Sequence, residues 1–150
     1  MATTTSSVSS TVNNLIETCK DGQNGFETAA KGVDDPVLKA ELLQYSGQRA
    51  EFATELADAL SQTGEAPEET GSIAAAIHRG WINIREAISK SDRYAILAEC
   101  ERGEDVAVAA YRKAAAAQLP QSLANIVSTQ HAAIQRVHDR VKALRDAAKK

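Results

Sequence analysis

Apolar residues recur along this chain at alternating steps of four and three residues, and that spacing constrains the fold more than any other feature. In the first segment the seam consists of Val8, Val12, Leu15, Cys19, Gly22, Phe26, Ala29 and Val33. Comparable seams lie in residues 36–62, in residues 93–118 and between Pro120 and the C-terminus. A seam with this period buries one face of a helix against near-parallel neighbours. The sequence therefore predicts four long helices that pack side by side.

The breaks between these helices indicate how they connect. Asp35 followed by Pro36 is a typical helix start, and Gly64 with Pro67 ends the second segment. A shorter helical pattern, from about Ser72 to Ser89, lies between the second and fourth segments. A helix of about eighteen residues spans roughly 27 Å, which is enough to return the chain along most of a bundle.

The predicted fold is therefore all-α: a ferritin-like four-helix bundle in which two helical hairpins are joined by a crossover helix. Abundant Ala and few strand-forming residues favour the same class. Residues 1–7 are predicted to form a flexible N-terminal tail, and residues 8–148 a single domain. A chain of 150 residues suits one hydrophobic core.

Composition narrows the classes of function. A hydrophobic fraction of 43% argues against a disordered chain, and a net charge of −3 argues against a nucleic-acid binder. The uncharged residues 114–135 include Pro120 and several Gln side chains, so they are not expected to span a membrane. No secretory signal is recognisable, and a cytoplasmic location is expected. Cys19 and Cys100 have no metal or redox spacing and are expected to be reduced thiols inside helices.

Polar residues interrupt the seams near the middle of the predicted bundle. Arg49 lies on the seam of the second segment, Glu104 on that of the fourth and Gln130 on that of the fifth. A buried charge needs a partner, because desolvating a lone ion costs several kcal/mol. Arg49 and Glu104 are therefore predicted to pair. Gln23 and Gln130 would complete a structural polar layer that sets the register of the helices.

A metal site is the alternative interpretation of this layer. Glu101 and Glu104 lie three residues apart on one helical face, and with His131 they could bind iron or another divalent metal. Di-iron bundles, however, also use Glu-x-x-His pairs, and this chain has none. Arg49 would also place a positive charge where the cations should lie. The sequence therefore favours the structural layer, with no cofactor.

Three smaller features are also interpreted as structural. Trp81, the single Trp, is predicted to anchor the crossover helix on the bundle. Gly22 and Gly47 are predicted to let the first two helices approach closely. His78 lies one turn from Trp81 and is interpreted as a packed, hydrogen-bonded histidine. A reactive histidine on a helix would instead indicate a phosphotransfer module, which is the second alternative function.

Four stretches resemble an uncharacterised bacterial ferritin-like four-helix-bundle family, a domain of unknown function. They are DGQNGFETAA at Asp21–Ala30, QRAEFATEL at Gln48–Leu56, HRGW at His78–Trp81 and ILAECERGEDVAVAAY at Ile96–Tyr111. The resemblance implies a ferritin-like fold and no established activity. Because the Glu-x-x-His pairs are missing, it transfers no di-iron ligand to this chain.

The sequence thus predicts a soluble bacterial protein that is not a catalyst and acts through its surface. A role in stress responses is suggested by superfamily analogy alone. The expected partner is another protein or a second copy of the chain, with a homodimer preferred. Neither a nucleic acid nor a membrane is expected as a partner.

Overall fold

The computed structural model describes the backbone of residues 2–64 and 80–148 and the side chains of residues 8–64 and 80–148. Throughout these residues the regular secondary structure is helical, so the all-α prediction is confirmed. The helices are α1 (Ala2–Lys31), α2 (Pro36–Gln62), α3 (Ile84–Ser89), α4 (Arg93–Ala115) and α5 (Gln121–Ala148).

Two aspartates cap helices, and the first of them, Asp35, does so at the helix start that the sequence predicts. The Asp35 carboxylate accepts hydrogen bonds from the backbone N–H groups of Val37 and Leu38, with Pro36 at the first position of α2. At the start of α4, the Asp92 carboxylate accepts hydrogen bonds from the backbone N–H groups of Tyr94 and Ala95. Each cap satisfies donors that have no partner within the helix.

The observed boundaries differ from the predicted ones at three places. Helix α1 begins at Ala2 rather than Val8, so its backbone includes most of the segment predicted as a tail. Helix α4 ends at Ala115, three residues before the predicted Gln118. Of the predicted crossover helix, only Ile84–Ser89 is helical among the described residues, and its first part, including His78, lies outside them.

The four long helices pack in a closed ring. Helix α1 contacts α2 and α4, and α5 contacts the same two helices from the opposite side. Short turns make α1 antiparallel to α2, and α4 antiparallel to α5. An ion pair of 3.1 Å between Arg93 and Asp35 brings the starts of α2 and α4 together. The connection from residue 63 to residue 92 therefore returns the chain from one end of the ring to the other.

Trp81 lies in a slot between α1 and α4 that two glycines leave open. A Cβ added at Gly25 would lie 2.2 Å from Trp81 Cδ2, and one added at Gly103 would lie 2.1 Å from Trp81 Cε2. The indole is 2% exposed and meets the Phe26 ring edge-on, with 5.0 Å between the centroids. The prediction that Trp81 anchors this part of the chain on the bundle is confirmed, but Trp81 lies in a turn before α3 rather than on the crossover helix.

The glycine before the anchor and the helix after it are held by further contacts. Gly80 has a φ of +81°, a conformation that other residues adopt at a cost, and it approaches the α4 backbone at Gly103. The Glu99 carboxylate accepts a hydrogen bond of 2.7 Å from the backbone N–H of Asn83, at the start of α3. The crossover segment thus reaches the bundle through a close backbone approach, an aromatic anchor and a buried carboxylate.

Candidate functional site

An ion pair between Arg49 and Glu104 divides the hydrophobic core into two parts. Arg49 Nη1 donates to Glu104 Oε1 at 2.5 Å, and Nη2 donates to Oε2 at 2.6 Å. The two side chains are 1% and 0% exposed, and separate apolar clusters lie towards either end of the bundle. A bidentate pair of this kind satisfies both ions and holds them in one relative orientation. The structure thus brings together the two charged residues that lie on the apolar seams of the second and fourth segments.

The Arg49 side chain fits because Gly22 on α1 faces it. A Cβ at Gly22 would lie 3.1 Å from Arg49 Nη1 and 3.2 Å from its Cγ. The guanidinium also lies over the Phe26 ring, 5.3 Å from the centroid. Gly47 plays no such part: it is exposed, and a Cβ there would meet nothing within 4 Å. The prediction of a close approach at Gly47 is wrong, because this residue lies on the outer face of α2.

Electrostatics keeps the Arg49 guanidinium charged. Burial by itself would lower the pKa of the Arg49 guanidinium, but the facing Glu104 carboxylate outweighs this effect, and the pKa is raised. Breaking such a pair is costly because the remaining charge stays buried without a partner. The layer is therefore closed, with the carboxylate of Glu104 fully engaged.

Gln130 belongs to a second network, which runs towards the surface. Tyr111 Oη donates to Gln130 Oε1 at 2.6 Å, and Cys19 Sγ lies 3.0 Å from the same hydroxyl oxygen. Gln130 Nε2 donates to the carbonyl oxygen of Phe52 at 3.3 Å and to Glu55 Oε1 at 2.8 Å. Because the Tyr111 proton points to Gln130, the Cys19 thiol is the donor to Tyr111. Gln130 is fully buried, as its seam position predicts.

Gln23 contributes to the helix packing through its backbone. Its side chain is half-buried, and its carbonyl oxygen accepts a hydrogen bond of 2.8 Å from Ser46 Oγ on α2. The polar core predicted as one layer of Arg49, Glu104, Gln130 and Gln23 is thus divided between an ion pair, a separate glutamine network and a backbone contact.

Both thiols should resist alkylation in the folded protein. Burial raises the pKa of Cys19 to about 11, and burial also raises the pKa of Cys100. At pH 8 only about one Cys19 in a thousand would then be a thiolate, the reactive form. We expect iodoacetamide to label neither residue in native protein and both in urea, as measured by intact mass. Rapid labelling of native Cys19 would contradict the buried hydrogen-bonded arrangement.

The three residues of the alternative metal site are not brought together. Glu104 faces Arg49, whereas the Glu101 carboxylate pairs with Arg145 on α5. His131 is half-buried, with its ring 6.3 Å from that of Tyr111, centroid to centroid. The trio predicted from Glu101, Glu104 and His131 is therefore wrong as a ligand set, because α4 directs its two glutamates towards different neighbours.

A different cluster lies where the surfaces of α4 and α5 meet. His138 Nε2 is 2.6 Å from Asp105 Oδ1 and 3.9 Å from Glu101 Oε2, and His138 Nδ1 is 3.1 Å from Asp139 Oδ1. Among the described residues, Glu101, Asp105 and His138 are the group of His, Cys, Asp and Glu that could hold a metal ion. Sequence reasoning missed it. The four-residue spacing of Glu101 and Asp105 was a signal, but nothing in the sequence shows that His138 faces them.

The protonation of His138 follows from its neighbours. Partial burial lowers the pKa of the imidazole, but hydrogen bonds to Asp139 and Asp105 outweigh it and raise the pKa above its ordinary value of 6.5. Both ring nitrogens lie within hydrogen-bond distance of a carboxylate. Neither nitrogen is therefore open for attack on a phosphodonor in this arrangement.

The fold and these contacts define an all-helical bundle with a closed, ion-paired core. Residues 7–118 match the model of a family described as Domain of unknown function (DUF2383), and the chain belongs to that family. The matched range includes Arg49 and Glu104 but ends before α5, and so before Gln130 and His138. Among curated proteins, none matches the chain. Within residues 2–64 and 80–148, no helix has the length and apolar character needed to cross a membrane.

Proposed function

We propose that the protein is a ferritin-like bundle without a metal centre in its core, and that it acts without catalysis by binding a protein partner. Its helix order supports the ferritin-like assignment, because two antiparallel hairpins are joined by one connection that begins and finishes at opposite ends of the bundle. The family resemblance of the four sequence stretches supports it independently.

One observation carries the functional part of the proposal: Glu104 is paired with Arg49 through both carboxylate oxygens. Ferritin-like bundles hold their metals with inward-facing carboxylates and histidines at mid-bundle. Here a metal ion would have to displace the guanidinium from a fully buried carboxylate, at a cost of several kcal/mol. The mid-bundle position thus serves the fold, and the surface is left as the place of action.

The proposal extends to location and partners. Cys19 and Cys100 are free, buried thiols, which suits a reducing compartment, and we place the protein in the bacterial cytoplasm. A stress-related role follows from superfamily analogy alone. We prefer a homodimer among the protein partners, and sedimentation equilibrium at micromolar concentration would then give twice the mass of the chain.

Measurements of iron content and of Fe(II) oxidation test whether the mid-bundle layer excludes metal ions. Protein purified without chelator should contain no iron that depends on the mid-bundle pair, and Fe(II) in air should be oxidised no faster with the protein than in buffer. The matched control is the double variant Arg49→Met with Glu104→Gln, which removes both charges and keeps the layer neutral. Ferric absorbance that rises faster with the wild type, and at the buffer rate with this variant, would contradict the proposal.

A further inference from the structure

We infer that the surface where α4 and α5 meet binds one divalent cation through Glu101, Asp105 and His138. The site is separate from the mid-bundle ion pair and independent of the function proposed above. One oxygen of each carboxylate and Nε2 of the histidine lie within 4.8 Å of one another. First-row cations bind such ligands at about 2.0–2.2 Å, so small side-chain rotations bring all three onto one ion.

The histidine is held in the orientation that a metal ligand needs. Asp139 Oδ1 lies 3.1 Å from Nδ1 of His138, which leaves Nε2 directed at the two α4 carboxylates. Metal-binding histidines typically donate their second ring N–H to a carboxylate in this way. In the absence of an ion, a proton on Nε2 bridges to Asp105, and the cation would take its place.

Glu101 is held as well, yet keeps one oxygen available. Its Oε1 pairs with Arg145, while its Oε2 faces His138 at 3.9 Å. Arg145 therefore acts as a positioning residue, which fixes the carboxylate without occupying the oxygen that would bind the metal. Asp139 and Arg145 together hold two of the three ligands before any ion arrives.

Burial gives the site a closed side and an open side. The side chains of Glu101 and His138 are 14% and 15% exposed, whereas that of Asp105 is 61% exposed. Three protein ligands and an open position for water form the arrangement of an accessible zinc-type site. An imidazole ligand favours Zn²⁺ and its first-row neighbours over Mg²⁺ and Ca²⁺, which prefer oxygen alone.

Calorimetric titration of tag-free full-length protein with ZnCl₂ tests the inference. We expect one Zn²⁺ per chain, at least about tenfold weaker binding in His138→Gln and Asp105→Asn, and a similar loss in Asp139→Asn, since partners of metal-bound histidines typically contribute 10–100-fold. The controls are His131→Gln and His78→Gln, which alter the other two histidines and should bind as the wild type does.

Nitrogen-15 NMR of the histidine rings supplies a second readout, which an unfolded variant cannot imitate. In the wild type, Zn²⁺ should remove the proton from His138 Nε2 and leave that on Nδ1. Circular dichroism establishes that each variant is folded. Absence of Zn²⁺ binding to the wild type, or undiminished binding to folded His138→Gln, would overturn the inference, as would loss of binding in either control.

Discussion

Replacing Arg49 by Met should lower the free energy of unfolding by about 3–5 kcal/mol, because Glu104 would remain buried without its countercharge. The double variant with Glu104→Leu should recover much of that loss, since the layer would then be apolar and uncharged. Urea unfolding followed by circular dichroism measures the two single variants, Arg49→Met and Glu104→Leu, and the double variant. Exact additivity of the two single changes would show that the residues do not interact, contrary to the bidentate pair.

A surface ion pair supplies the matched control for this experiment. Arg93 and Asp35 are 3.1 Å apart but are 51% and 40% exposed, so water competes for both charges. Arg93→Met should cost less than about 1 kcal/mol. A loss at Arg93 as large as that at Arg49 would mean that burial is not what makes the core pair important.

The second large effect concerns the slot that holds Trp81. Trp81→Ala should lower the free energy of unfolding by roughly 3–5 kcal/mol, because it empties a buried space the size of an indole. Gly103→Ala should also destabilise, by about 1–3 kcal/mol or more, since its Cβ would lie 2.1 Å from the indole. Because the added methyl and the missing indole compensate in space, the double variant should be less damaged than the sum of the two.

Gly47→Ala is the control for the glycine substitutions. Gly47 lies within α2 and a Cβ there meets nothing within 4 Å, so this change should be neutral or should stabilise by up to about 1 kcal/mol. The fluorescence of the single Trp reports on the slot directly. An emission maximum typical of indole in water, in the native wild type, would contradict the observed burial.

The ion pair shows how far sequence reasoning extends into the site. Arg49 and Glu104 are opposite charges on apolar seams, and burial demands a countercharge, so their pairing followed from the sequence alone. The same reasoning placed Gln130 in the core but not beside Tyr111 and Glu55. A glutamine can satisfy its amide with many partners, and the seam does not indicate which of them is nearest.

The predicted metal ligands show where that reasoning stopped. Glu101 and Glu104 share one face in a helical count, yet Glu104 turns inwards to Arg49 and Glu101 turns to Arg145 on α5. The difference depends on how far α4 is rotated about its own axis within the ring. A small rotation is enough to move a side chain from the core to the surface where two helices meet. His138 was not singled out for the same reason: the carboxylates that face its Nε2 belong to a different helix.

The sequence by itself determined the four long helices of this protein, because seam period, caps and breaks act locally. It also determined that Arg49 pairs with Glu104, because a buried charge needs a countercharge. Only the tertiary structure decided which glycine faces a neighbour, as Gly22 does and Gly47 does not. It likewise brought Gly25 and Gly103 to the two sides of Trp81, and His138 to the carboxylates of α4. These contacts depend on the rotation and the axial position of each whole helix in the bundle. The packing of all the side chains determines both of these jointly.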